Sequence, residues 1–154
     1  MMSNAETINS ERLRNFVTFR LSRVQSRLNA QAIRILKAHS ELSLTEWRIV
    51  LLTAQAAGST LSELARDTHL DKGQLSRAIT TLTKKKLLLS KTDKNDQRQH
   101  NLTLTKSGQA EYEKMLPIMR ERQKNLVANL SSEDLEHFSR VLVELEQAVA
   151  KTES

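Results

Sequence analysis

Apolar residues recur at helical spacing near both ends of the chain, and this bracketing constrains the fold more than any other feature. Leu13, Val17, Leu21, Val24, Leu28 and Ile35 follow one another at intervals of three or four, with one of seven. Such spacing lays a single stripe along an α-helix. Phe16 and Phe19 widen it, and Arg12, Arg14, Arg20, Arg23, Arg27 and Arg34 take much of the remaining surface. Leu135, Phe138, Leu142, Leu145 and Val149 repeat the rhythm further on, as a heptad-like seam that wants a partner helix. Long apolar helices at both ends predict a helical interface between two copies of the chain. The alternative is packing within one copy.

The segments between these helices have another rhythm. Thr45 is expected to cap a helix from Glu46 to about Ala57, ended by Gly58-Ser59. Thr60-Leu61-Ser62-Glu63 has the spacing of a capping box, so a short helix should begin at Leu61 and break at Thr68-His69. Asp71-Lys72-Gly73-Gln74 offers the next cap, for a helix from about Lys72 to Lys85 that buries Leu75, Ala78, Ile79 and Leu82. Two short helices joined by a tight turn form a helix-turn-helix pattern. Leu87–Lys91 and His100–Leu104 then read as strands around a charged turn, Thr92–Gln97. A hairpin directly after the second helix is the layout of a winged helix. From Lys106 the chain returns to helix; Pro117 should kink it or open a new segment, and Leu130-Ser131-Ser132-Glu133-Asp134 starts another.

The expected architecture is therefore mainly α with a small β-wing: a winged helix-turn-helix DNA-binding region plus a helical dimerisation region from both chain ends. Residues 1–9 would be a flexible N-terminus and 10–38 a dimerisation helix. Residues 44–105 would form the DNA-binding region and 106–150 the C-terminal dimerisation helices.

Charge and composition narrow the function. Of a net charge of +6, residues 1–60 carry +4, residues 61–110 carry +5 and residues 111–154 carry −3. A basic middle with an acidic tail suits a polyanionic partner. A merely solvated surface is the plainer reading. Cysteine is absent, which excludes disulfides, thiolate metal sites and cysteine nucleophiles. Three glycines and one proline are few for a glycine-rich phosphate loop, and 3% aromatics are too few for a base-stacking platform. Histidines 39, 69, 100 and 137 lack metal-ligand spacing, and no nucleophile–base pair stands out. Neither an enzyme, a metal nor a cofactor is expected. No apolar run approaches the roughly 20 residues of a membrane span, and Met1–Ser10 has no apolar core of a signal peptide, so the expected location is cytoplasmic.

Five segments resemble, in order, those of the MarR family of winged-helix transcription regulators. Asp96-Gln-Arg98-Gln-His-Asn-Leu102-Thr-Leu104-Thr105-Lys-Ser-Gly108 matches the wing signature D-x-R-x-x-x-L-x-L-T-x-x-G at every specified position. Leu44-Thr45-Glu46-Trp47-Arg48, Leu61-Ser62-Glu63-Leu64-Ala65 and Asp71-Lys72-Gly73-Gln74-Leu75-Ser76-Arg77 resemble earlier segments, and Leu130–Leu135 resembles the start of the last helix. The resemblance spans residues 10–150. It implies a symmetric dimer carrying two winged helices, repression at a promoter and relief by a small ligand, commonly an aromatic acid. The lack of cysteine excludes the thiol-oxidation switch of some relatives.

On the second helix of the pattern, Ser76, Arg77, Thr80 and Lys84 lie opposite the expected buried face. Lys72, Gly73 and Gln74 occupy the first turn, where free N–H groups and the helix dipole favour a phosphate. Gln74 suits adenine and Arg77 suits guanine in the major groove, with a phosphate contact as the alternative for Arg77. Lys84, Lys85 and Lys86 suit phosphates or solvent better than bases. By resemblance Arg98 enters the minor groove with Asp96 orienting it, while Lys91 and Lys94 flank phosphates; a local Asp96–Arg98 ion pair is the alternative. For an acidic effector, Arg20, Arg23, His39, Trp47 and Arg48 are the candidates, although Trp47 also suits the core and Arg48 a scaffold role. A DNA-binding architectural protein with little sequence specificity and no ligand is the second function considered.

Overall fold

The computed structural model describes residues 13–68, 70–92 and 100–152. Among them are six helices and a small antiparallel sheet. The helices are α1 (Val17–His39), α2 (Leu44–Gln55), α3 (Leu61–Thr68), α4 (Lys72–Lys84), α5 (Lys106–Leu126) and α6 (Ser132–Thr152). The strands are β1 (Ser59–Thr60), β2 (Leu88–Thr92) and β3 (His100–Leu104), in the order β1-β3-β2. This is the expected winged helix-turn-helix flanked by long helices. The chain divides into two compact units, Met1–Met115 and Leu116–Ser154.

Local chemistry sets most boundaries. Thr60 and Glu63 close the expected capping box: Glu63 N donates to Thr60 Oγ1 at 3.2 Å, and Thr60 N donates to Glu63 Oε2 at 2.8 Å. Those hydrogen bonds hold the Glu63 carboxyl below its ordinary range. Asp71 caps α4 by accepting from Gln74 N at 2.8 Å. Ser131 and Asp134 form the same reciprocal pair at the start of α6, which lowers the Asp134 pKa.

Three expectations need correction. The cap of α2 is Ser43, not Thr45: Ser43 Oγ accepts from Glu46 N at 3.2 Å, and Ser43 N donates to Glu46 Oε2 at 3.0 Å. The box needs its acid three residues after the cap, and only Ser43 meets that spacing to Glu46. The first helix, expected unbroken from Ser10 to about Ala38, is interrupted: Leu13 and Arg14 are helical, the chain turns at Asn15–Phe16 with Phe16 N donating to Leu13 O at 3.1 Å, and α1 begins at Val17. Leu13, Phe16, Val17 and Phe19 are at least half exposed, so no packing within a single chain holds this stretch in one continuous helix. Finally, β1 is an extra strand, whose two residues pair with Leu102 and Asn101 of β3. Two residues carry no alternation to read. Pro117 sits inside α5 and does not divide it.

The core of the first unit lies where α2 meets α4 and β3, and where α3 meets α4. Ile49, Val50, Leu64, Leu75, Leu82, Leu88, Leu102 and Met115 are sealed there, at 0–1% exposure. Each such side chain stabilises by about 1.5–3 kcal/mol relative to exposure. Gly108, at the start of α5, is fixed by contact: a Cβ there would overlap the Leu87 carbonyl. The same carbonyl accepts from Thr105 N at 3.1 Å, so α5 leaves β3 pressed against the residue before β2. In the second unit, α6 buries no residue, and Phe138 and Val149 are 53% and 57% exposed.

Candidate nucleic-acid interface

Helix α4 is held from beneath and open above. Leu75 and Leu82 are fully buried and Ala78 and Ile79 half-buried, which fixes its roll about its axis. Lys72, Gly73, Gln74, Ser76, Arg77, Thr80 and Lys84 are all exposed. One amphipathic helix thus places seven of the sequence-derived DNA contacts on the solvent side.

The details sharpen their roles. A Cβ on Gly73 would lie 3.0 Å from Asp71 Oδ1, so a side chain there would crowd the cap, and 3.6 Å from Arg77 Nη1. The Arg77 guanidinium therefore runs back over the first turn, beside the open N–H groups. Thr80 Oγ1 donates to the Ser76 carbonyl at 2.9 Å, so its hydrogen is committed within the helix and its oxygen remains an acceptor. Thr81 and Thr83 bond back in the same way, to Arg77 and Ile79.

The basic run after α4 does not act as a unit. Lys85 is not free for phosphate: its Nζ donates to Glu46 Oε2 at 2.8 Å and to the Glu41 carbonyl at 2.9 Å. Lys86 has φ 59, a left-handed conformation. It completes a C-terminal turn in which Leu87 N bonds to Leu82 O and Lys86 N to Thr83 O, both at 3.0 Å. Glycine normally occupies that place; a side chain costs about 1 kcal/mol there.

In the hairpin, Lys91 is exposed on β2, and pairing runs as far as Thr92↔His100. Lys94, Asp96 and Arg98 lie outside the described residues.

The five effector candidates do not converge. Trp47 is a core residue, 5% exposed and stacked on Tyr112 with ring centroids 6.2 Å apart. Arg48 is a scaffold residue: its Nη2 donates to Asn29 Oδ1 at 3.0 Å, tying α2 to α1. Arg20 and Arg23 are exposed on α1, and Arg20 stands 19 residues, roughly 28 Å along the axis, from His39. His39 borders a cavity of about 650 Å³, which Lys37, Ser40, Glu41, Lys85, Glu111 and Lys114 also line. Ser40 Oγ donates to Glu111 Oε1 at 2.6 Å, and Lys114 Nζ lies 2.7 Å from Glu111 Oε2. Burial alone would raise the Glu111 pKa, but the bonds from Lys114 and Ser40 outweigh it and hold it below the ordinary value. Sequence reading missed Lys37, Lys85, Glu111 and Lys114 because no local pattern distinguishes them from solvated charges.

Comparison with known proteins gives the family. The MarR family model matches residues 42–100, which take in α2, the helix-turn-helix and β2, and end on the first residue of β3. The chain is 33% identical over 117 residues to the HTH-type transcriptional regulator TcaR of Staphylococcus aureus, covering 75% of this chain and 77% of that one. The chain belongs to the MarR family. It is also 28% identical over 110 residues to the homoprotocatechuate degradative operon repressor of Escherichia coli, covering 71% of this chain and 74% of that protein. The solved structure of the S. aureus MepR–DNA complex has the same fold, with a TM-score of 0.78 at 20% identity over 87% of this chain and 96% of that one. MarR proteins are transcription regulators, and this chain is a MarR-family transcriptional regulator. Among its described residues no helix is long and apolar enough to cross a membrane.

Proposed function

We propose that this MarR protein is a sequence-specific, double-stranded-DNA-binding repressor, a cytoplasmic homodimer released from a pseudo-palindromic operator by a small aromatic acid. The observation that carries the reading is the outer face of α4, where Gln74, Ser76 and Arg77 stand exposed on a helix whose roll is fixed by buried Leu75 and Leu82. Gln74 and Arg77 read adenine and guanine edges, while Lys72, Lys84, Lys91 and Lys94 hold phosphates. Arg98, oriented by Asp96, takes the minor groove, where narrow A·T tracts concentrate negative potential. Residues 44–105 are the DNA-binding region, and residues 10–38 with 106–150 form the dimer. The exposed apolar stripe of α1 and the seam of α6 support that assignment.

Two reading helices in a dimer should sit about 34–36 Å apart, one turn of the duplex. An effector that favours a different separation would shift the population away from the DNA-competent state. At the cavity beside His39, Lys85 is bonded to Glu46 and Lys114 to Glu111, so an acidic effector there would be met by Lys37 and His39. Homoprotocatechuate, the aromatic acid named in a relative's operon, gives the chemical class to test first.

The test is selection of genomic fragments by the purified protein at two salt concentrations. Enrichment of a pseudo-palindrome with half-sites about 10 bp apart is the expected result. Binding without enrichment, lost steeply as salt rises, would replace this reading with the architectural one.

A further inference from the structure

Lys84-Lys85-Lys86 is uniform in sequence but divided in structure. Lys84 is exposed on the last turn of α4, whereas Lys85 turns back to the segment joining α1 to α2. There its ammonium bonds to the Glu41 carbonyl and to Glu46 Oε2, and Glu46 is only 6% exposed. The same Glu46 oxygen accepts from Ser43 N, so one carboxylate atom closes the cap of α2 and holds the end of α4. On the other side, the left-handed Lys86 offers its carbonyl to Thr105 Oγ1 at 2.7 Å. A side chain persists in that backbone region only where its surroundings over-determine it. The C-terminal end of α4 is thus pinned from both sides.

We propose that Lys85 is a positioning residue for DNA reading: it makes no DNA contact, and its bond to Glu46 sets the angle at which α4 is presented. This rests on the DNA-reading role given to α4 above. Base-edge hydrogen bonds fail when a helix is misaimed, whereas attraction to phosphates depends weakly on orientation. Removing Lys85 therefore erodes discrimination, while removing a phosphate-binding cation erodes affinity on every sequence and lowers the salt dependence.

The experiment compares Lys85→Met, Lys85→Arg, Glu46→Gln and Lys84→Met with wild type. It uses the duplex selected above and a scrambled duplex of equal length, over a salt series and well below the unfolding temperature. Lys85→Met is expected to lower the preference for the selected duplex by roughly tenfold, the size of one mismatched base pair. Its scrambled-duplex affinity should stay within about twofold and its salt slope unchanged, and Lys85→Arg should restore the preference. Lys84→Met should weaken both duplexes and reduce the slope by about 0.9 for each phosphate no longer neutralised. If Lys85→Met behaves like Lys84→Met, or leaves the preference intact, the proposal is overturned. Should Lys85→Met fold poorly, Glu46→Gln, which keeps the acceptor but removes the charge, must show the same drop in preference. If wild type selects no duplex, it is the DNA-reading role of α4 that fails. The fastening is then judged by amide exchange at Lys85, Lys86 and Leu87, and unchanged rates in Lys85→Met would overturn it.

Discussion

The helix-turn-helix with its sheet and the helix α6 spend their apolar residues in opposite ways. In the former, Leu64, Leu75, Leu82, Leu88 and Leu102 are buried to within 1% of completely. In the latter, a seam of equal regularity buries nothing, leaving Phe138 and Val149 more than half exposed. The N-terminal part of α1 behaves like α6, with Val17 and Phe19 at 54% and 50% exposure. Periodicity alone does not say where an apolar face will be covered. The first region is complete in one chain, and the second has the pattern of a surface that needs another helix.

The sharpest break of that comparison pairs one substitution from each region. Leu75→Ala should cost about 2–5 kcal/mol in urea denaturation, because a filled site beneath α4 becomes a cavity. Phe138→Ser with Leu145→Ser should leave that core intact yet abolish the proposed dimer. Sedimentation would then report a monomer, and Tm would no longer depend on protein concentration. A double variant that stays dimeric would remove α6 from the interface.

Smaller effects test the reading face. Arg77→Ala should cost about 1–3 kcal/mol on the preferred operator and relax its sequence preference. Arg98→Ala should weaken binding across sequences in the same titrations; unchanged affinity would refute the wing assignment. Lys86→Gly should raise stability by about 1 kcal/mol by relieving φ 59, measured by thermal unfolding.

The smallest expected effect is electrostatic. Glu111 has its pKa held below the ordinary 4.5, so its bonds to Ser40 and Lys114 stabilise the fold above that pH. That contribution disappears as pH falls through the lowered folded value. Glu111→Gln should therefore flatten the acid limb of the stability profile below about pH 4.5 by a few tenths of a kcal/mol, the scale of a partly exposed pair. An unchanged acid limb would show that Glu111 contributes nothing there.

Much of the fold was legible because caps and stripes are local. Thr60–Glu63, Asp71 and Ser131–Asp134 each carry, within a few residues, both the donor and the acceptor that end a helix. The exposed face of α4 followed from the spacing of Leu75 and Leu82. The effector candidates fared worse, because a cavity wall is assembled from distant segments. Lys37, Lys85 and Lys114 meet around one cavity from three helices or helix ends, and nothing near any of them in the chain marks it out. Trp47 and Arg48 were attractive as a donor-bearing ring and a cation, yet one is spent on Tyr112 and the other on Asn29.

What could be settled along the chain was the order of the long helices and the two wing strands, the basic middle, and the wing pattern that resembles the family's, since most of these depend on neighbours within about a dozen residues. What needed the folded molecule was the division of labour among chemically identical side chains. Lys84, Lys85 and Lys86 differ only in where the end of α4 aims them: one to solvent, one into the Glu46 carboxylate, one onto a left-handed turn. Direction in space is set by packing between elements far apart in sequence, and a run of lysines carries no record of it.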